Sequence, residues 1–183
     1  VGGALGNNSC GAHSIVWGKT SDNVIALKAV LSNGDMVDLR SLDGDGLQSK
    51  FAQENLEGAI YRRLNELVTD VHEEVEARYP KILRRVSGYN LDNLGINGFD
   101  MARFVVGSEG TLGIITEVHL RLVPIPENIM SAVCHFSNLE SAVSVVQEII
   151  QYGVPIARIE LLNADQMEIS IKYSKLDHLE AKP

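Results

Sequence analysis

Cysteine is nearly absent from this sequence: Cys10 and Cys134 are the only two. Two widely spaced thiols make neither a disulfide framework nor a metal site, so no stapled secreted scaffold is indicated and the reducing cytoplasm is the expected compartment. Basic residues are also in deficit. Lys and Arg number 16 against 24 Asp and Glu, a formal net charge of −8. Nucleic-acid binding needs a basic surface to neutralise phosphates, and this balance argues against it. No apolar run approaches the roughly 18 residues of a membrane-spanning helix, and no basic-then-apolar signal segment opens the chain. Internal repeats and low-complexity tracts are lacking. His72, His119, His135 and His178 share no ligand-like spacing, so no metal site is expected. There is also no starting Met: Val1-Gly2-Gly3-Ala4 reads as the inside of a domain, and Leu179–Pro183 stops without a closing element. A piece of a longer protein is the expectation.

What remains suits a globular fold. With 183 residues and 45% of them hydrophobic, the chain has room for one domain, or one domain and part of another, around a sizeable core. Residues 1–20, rich in Gly, Asn and Ser, read as loop. Two apolar runs, Val24–Leu31 and Met36–Leu39, flank Asn33-Gly34. That is a hairpin signal in which both turn residues are expected at positive φ. A single long helix is predicted over about 49–78, because Leu56, Ile60, Leu64, Leu67, Val71 and Val75 recur at three- and four-residue steps and Pro80 ends the element. Arg103–Val106 reads as a short strand. From Ile114, alternation predicts a half-buried strand with Ile114, Val118, Leu120 and Leu122 on one face and Ile115, Glu117, His119 and Arg121 on the other. Pro124 and Pro126 mark a boundary. Beyond them a strand–helix–strand pattern is expected: a strand over Met130–Phe136, then a helix opened by Ser137-Asn138-Leu139-Glu140 and stopped by Gly153 and Pro155. A strand over Ile156–Leu161 and a further helix from Ala164 follow.

Two glycine-rich segments are the candidates for chemistry. The first runs from Gly2 to Gly11 and is neither a P-loop, lacking Gly-Lys-Ser/Thr, nor the Gly-x-Gly-x-x-Gly dinucleotide fingerprint. Its backbone amides and small side chains suit an anionic or planar ligand, and an ordinary surface loop is an equal alternative. The second, Gly107-Ser108-Glu109-Gly110-Thr111-Leu112-Gly113, leads straight into the strand at Ile114. It reads either as a ligand seat or as a plain tight turn. His13 and Cys10 sit in or beside the first segment. Each is more simply a polar loop residue than a flavin attachment point or reactive thiol, since a reactive thiol needs a lowered pKa. Asp43, Asp45 and the acidic helix face read as solvated charge.

Together these segments resemble the FAD-linked oxidases of the vanillyl-alcohol-oxidase fold. The resemblance is carried by Gly2-Gly3, Asn8, Gly11, Trp17-Gly18 and Asp22-Asn23-Val24. It continues through Val30-Leu31-Ser32-Asn33-Gly34, the unbroken run from Gly107 to Glu117, and Leu120 to Pro124. Ser87-Gly88-Tyr89-Asn90-Leu91-Asp92 looks most like the large bacterial D-2-hydroxy acid dehydrogenases and the FAD subunit of glycolate oxidase. Three features depart from the common pattern: Lys28 where many relatives have Glu, Cys10 where Gly or Ala is common, and a longer loop from Gly95 to Asp100.

The resemblance implies an α+β fold in which residues 1–124 form the second subdomain of an FAD-binding domain and residues 125–183 begin a substrate-capping domain. It implies FAD as cofactor, contacted by Val1, Gly3, Asn8, Ser9, Gly11 and Gly18 from the first loop and by Gly113, Ile114 and Ile115 from the strand start. The pyrophosphate loop is implied to precede residue 1. The 183 residues alone are therefore expected neither to retain FAD nor to turn over substrate. The implied reaction of the complete flavoprotein is oxidation of a small D-2-hydroxy acid to the 2-oxo acid by hydride transfer to flavin, with the electron acceptor open and no catalytic residue assigned. A non-catalytic FAD- or nucleotide-binding module and a purely structural domain are the alternatives.

Overall fold

A computed structural model describes residues 1–95, 98–154 and 156–174. Ile96 and Asn97 of the 95–100 loop, Pro155, His178 and the Leu179–Pro183 end lie outside the described residues. Helices and a five-stranded antiparallel sheet make the chain α+β. It divides into two compact units, Val1–Val123 and Pro124–Pro183.

In the first unit, residues 1–20 are not an open loop. They wind into two short helical turns, α1 (Gly2–Gly6) and α2 (Ser14–Trp17), followed by a 3-10 turn at Thr20–Asn23. Local bonds such as Asn7 N–Gly3 O (3.2 Å) and Ser9 N–Ala4 O (2.9 Å) satisfy the backbone that a sequence rich in glycine leaves flexible. Strands β1 (Val24–Val30) and β2 (Met36–Leu42) form the expected hairpin. Its turn differs from expectation in that Gly34 has φ 88° while Asn33 does not enter the positive region. Gly34 N donates to Leu31 O and Leu31 N donates to Asp35 O, the three-residue type I plus bulge form that needs one left-handed residue rather than two.

The predicted single helix is two, α3 (Gly44–Phe51) and α4 (Leu56–Arg78). The break lies at Asn55, whose side chain accepts from Gly58 N and caps α4. Asp43 caps α3 in the same way through Gly46 N. The buried stripe of α4 passes through Tyr61, Val68 and Val75, with Ile60 and Leu64 at its margin. Leu67, expected on the apolar face, is 41% exposed. Tyr61 joins the stripe although the aliphatic periodicity does not include it. A minor ladder of β3 (Leu94–Gly95) and β4 (Gly98–Asp100) joins β2.

Residues 103–106, expected as a strand, belong instead to helix α5 (Met101–Val105) and its C-cap. Asp100 caps it by accepting from Arg103 N, a local bond that starts a helix against the β-propensity of the Val pair.

Strand β5 (Ile114–Leu120) pairs with the far side of β1, giving the order β3-β4-β2-β1-β5. Its predicted faces are wrong by one residue over the first half. The register pairs Lys28 with Glu117 but Ala29 with Ile115, so Thr116 is an extra residue in a bulge. The bulge turns Ile115 and Val118, three apart, to the same core, and leaves Ile114 68% exposed. Lys28 Nζ meets Glu117 across the ladder at 2.9 Å. Hydrogen bonds from Lys28 and His119, and the charge on Lys28, hold the exposed Glu117 carboxyl below the usual carboxylate range.

In the second unit, α6 (Leu139–Gln151) opens with Asn138 accepting from Ser141 N at 2.9 Å, one residue later than the Ser137 cap expected. Helix α7 (Ala164–Ser174) begins where predicted. Neither 130–136 nor 156–161 forms a strand. The two segments do not pair, and a lone two-stranded ladder is marginal without further strands to complete a sheet.

Candidate functional site

The two glycine-rich segments, about a hundred residues apart in sequence, are stitched together. Gly107 N donates to Leu5 O at 2.9 Å, and Glu109 N donates to Gly6 O at 3.1 Å. Gly107 has φ 90°, and a Cβ there would lie 3.3 Å from Asn8 Cβ, so both conformation and space demand glycine. Among the described residues the two non-glycine positions with positive φ, Asn8 (49°) and Glu109 (50°), flank this junction. Such geometry costs energy and persists where surrounding structure over-determines it. The Ser87–Asp92 segment braces the same junction. Asn90, buried, donates through Nδ2 to Arg103 O (3.1 Å) and Val106 O (2.8 Å), and the Tyr89 hydroxyl lies 2.9 Å from Thr111 Oγ1.

Asn8 is itself fully buried. Its Oδ1 accepts from Ser21 N at 3.0 Å, while its Nδ2 has no partner. Its structural work is therefore to hold the 3-10 turn against the first loop. Replacement by Ala leaves a buried Ser21 N–H unpaired, and the expected cost is about 1–3 kcal/mol. Chemical denaturation of Asn8→Ala against the parent checks this, and Asn8→Asp, which keeps the acceptor, should recover part of the loss. Equal midpoints for Asn8→Ala and the parent would contradict it.

Val1, Ser9 and Gly18 line an open cavity of about 340 Å³, together with Ala4, Leu5, Lys19, Thr20, Asn23, Leu120, Arg121 and Leu122. Two of its lining residues are cationic and none is acidic, a balance that suits an anion. Gly3 and Gly11 have open space where a Cβ would stand, so a ligand can approach their backbone closely. Gly113, Ile114 and Ile115 lie elsewhere, at the opposite end of β5 from Leu120. Gly113 sits at φ 154°, and a Cβ there would be 3.1 Å from Val30 O. The nine residues expected around FAD thus fall into a cavity-and-loop group, the buried Asn8, and a strand-start group roughly 20 Å along β5 from the cavity at 3.3 Å per residue. Lys19 and Arg121 are not among the expected site residues: Arg121 falls on the polar face of the β5 alternation, which reads as a solvated edge, and Lys19 is a lone cation beside Gly18 with no pattern to mark it.

The His13 ring stacks on Trp17 at 5.2 Å between centroids. Cys10 departs from the sequence reading, which found nothing to perturb it. Burial pushes its thiol up, but a hydrogen bond with Ser14, the Arg84 guanidinium 3.3 Å from Sγ and the charge of Lys19 outweigh that and hold it below the ordinary value.

Two segments of the chain match known protein families. Residues 1–40 match the FAD binding domain family, and residues 125–182 match the C-terminal domain of FAD linked oxidases. Both matches mark the chain as similar to the FAD-linked oxidases. It is 33% identical over 130 residues to the D-2-hydroxyglutarate dehydrogenase of Pantoea ananatis, covering 69% of this chain and 13% of that protein. To a probable mitochondrial D-lactate dehydrogenase of Danio rerio it is 31% identical over 176 residues, 96% of this chain and 26% of that one. The glycolate oxidase subunit GlcD of Bacillus subtilis is 28% identical over 176 residues, again 96% of this chain and 27% of the relative. The chain thus spans between an eighth and about a quarter of the length of these relatives.

Proposed function

We propose that these residues are part of a longer FAD-dependent dehydrogenase that oxidises a D-2-hydroxy acid to the 2-oxo acid. The observation that carries the reading is the stitching of the two glycine-rich segments beside a cavity with two cations and no acid. Residues 1–124 contribute one side of the FAD-binding domain and residues 125–183 open the substrate-capping domain. The relatives' names, all D-2-hydroxy acid or glycolate enzymes, support the substrate class.

The residues present fit the cofactor. Lys19 and Arg121 would hold the diphosphate charge, since the Ser9 and Thr20 hydroxyl protons are spent on Asn7 Oδ1 and Ser9 O. Val1, Gly3 and Gly11 would offer close backbone approach, Gly18 would shape the turn whose Asp22 carboxylate already fills the space beside it, and Gly113, Ile114 and Ile115 would contact a more distant part of the cofactor. Asn8 acts through the loop it pins. FAD, when bound, supplies the hydride acceptor, and the protein's share is binding, orientation and exclusion of water. Among the described residues no helix is long and apolar enough to cross a membrane. We place the protein in the cytoplasm, with the relatives named as mitochondrial as the competing assignment.

Anaerobic addition of D-lactate or D-2-hydroxyglutarate to the complete protein is expected to bleach the flavin absorbance, and the L-enantiomers are expected to leave it. Bleaching by neither hand of any hydroxy acid, with the flavin present, would favour a non-catalytic flavin-binding module.

A further inference from the structure

A second cavity, about 160 Å³, lies within the unit Val1–Val123, between the sheet and α4. Ala29 of β1, Ile60 and Leu64 of α4, Phe104 of α5 and Leu112 of the second glycine-rich segment contribute to its wall. Glu57 and Tyr61 are the polar members of an otherwise apolar lining. The Glu57 carboxylate is taken by Lys50 Nζ at 2.5 Å. Tyr61 is fully buried, its ring stacked on Phe99 at 5.7 Å, and its hydroxyl has no hydrogen-bond partner. A buried hydroxyl without a partner is costly. Beside Tyr61 only the Glu57 carboxylate, already bonded to Lys50, could hold a water, and the other ten lining residues are apolar. A dry apolar void of comparable volume instead accepts a benzene-sized organic molecule.

We propose that this cavity is a binding site for a small neutral organic molecule, compact and mostly apolar, with one hydrogen-bond acceptor that takes the Tyr61 hydroxyl. The site shares no lining residue with the candidate cofactor surface, though Leu112 adjoins Gly113 and Ala29 pairs with Ile115, and it does not depend on the flavin reading. Burial pushes the Tyr61 phenol up, and Glu57, Asp38 and Asp100 push it further, so the hydroxyl stays protonated and donates. The lining offers a carboxylate no cationic partner and strips its water, which disfavours a hydroxy acid in this site. Leu112 makes the site's occupancy visible at the second glycine-rich segment.

The test uses the complete protein with methyl-labelled Met and Leu, titrated with phenol, toluene and benzoate. Phenol is expected to shift the Met101 and Leu112 methyl resonances saturably at low-millimolar concentration. Toluene, of the same shape without the oxygen, should bind about fivefold more weakly, the value of one neutral hydrogen bond. Benzoate should leave both methyls unmoved. Tyr61→Phe should reduce phenol to the toluene level and leave toluene unchanged, and Leu64→Phe should fill the space and abolish both. Unmoved methyls with phenol, equal binding of phenol and toluene to the parent, or benzoate binding as well as phenol would each overturn the proposal. If Leu64→Phe does not fold, the Tyr61→Phe comparison decides alone.

Discussion

Gly58→Ala is expected to destabilise the protein by about 3 kcal/mol, even though alanine is the better helix former by about 1 kcal/mol. Gly58 lies in the first turn of α4, where a Cβ would stand 2.2 Å from Gln53 O and 2.9 Å from Gln53 C. Those are backbone atoms, so no side chain can swing aside. The loop cannot retreat freely either. Arg62 Nη1 holds Gln53 O at 2.7 Å and Phe51 O at 2.5 Å, and Asn55 Oδ1 is engaged with Gly58 N at 3.0 Å. Relief therefore requires giving up the helix cap or the arginine clamp. Thermal unfolding of the 183-residue chain should show a melting temperature lower by about 10 °C. An unchanged or higher temperature would mean that helix propensity outweighs the steric conflict and that the sharp join between α3 and α4 is misread.

The 183 residues, prepared by themselves, are expected to hold FAD at least a thousandfold more weakly than the complete protein. A hydrogen bond to a charged group is worth about 1.5–3 kcal/mol, and losing three of them to a diphosphate weakens binding by roughly three to six powers of ten. The structure adds a reason. Many amides of the first loop are spent locally: Leu5 N, Asn7 N, Asn8 N, Ser9 N and Gly18 N bond backbone carbonyls within residues 1–20, Gly11 N bonds Ser14 Oγ and Lys19 N bonds Asp22 Oδ2. The cavity's cations remain, but they do not replace a cradle of amides. Calorimetric titration of this chain with FAD checks the expectation, and sub-micromolar binding would show that its surface suffices by itself.

The sequence was most legible where periodicity and motif agreed. The β1–β2 hairpin, the β5 strand, the helices at 139–151 and 164–174 and the run Gly107 to Glu117 were all readable. It was least legible where a single polar side chain decided the local fold. Asp100 turned 101–105 into a helix against the β-propensity of Phe104-Val105-Val106, and Asn55 split one amphipathic stretch in two. The bulge at Thr116 could not be read, because a bulge depends on the partner strand's register rather than on the residue itself. For the site, glycines marked two segments that the structure joins by hydrogen bonds, but Asn8 is buried beneath the surface it was expected to form. The strands at 130–136 and 156–161 were apolar enough to predict but had no partner with which to form a ladder.

The central claim is that the cavity beside the stitched loops receives the diphosphate of FAD. The most direct measurement is the FAD affinity of the complete apoprotein against its Lys19→Ala/Arg121→Ala variant, by calorimetry at two salt concentrations. The account predicts at least tenfold weaker binding in the variant, with the gap narrowing as salt screens the parent's two charges. Equal affinity in parent and variant at both concentrations would contradict it.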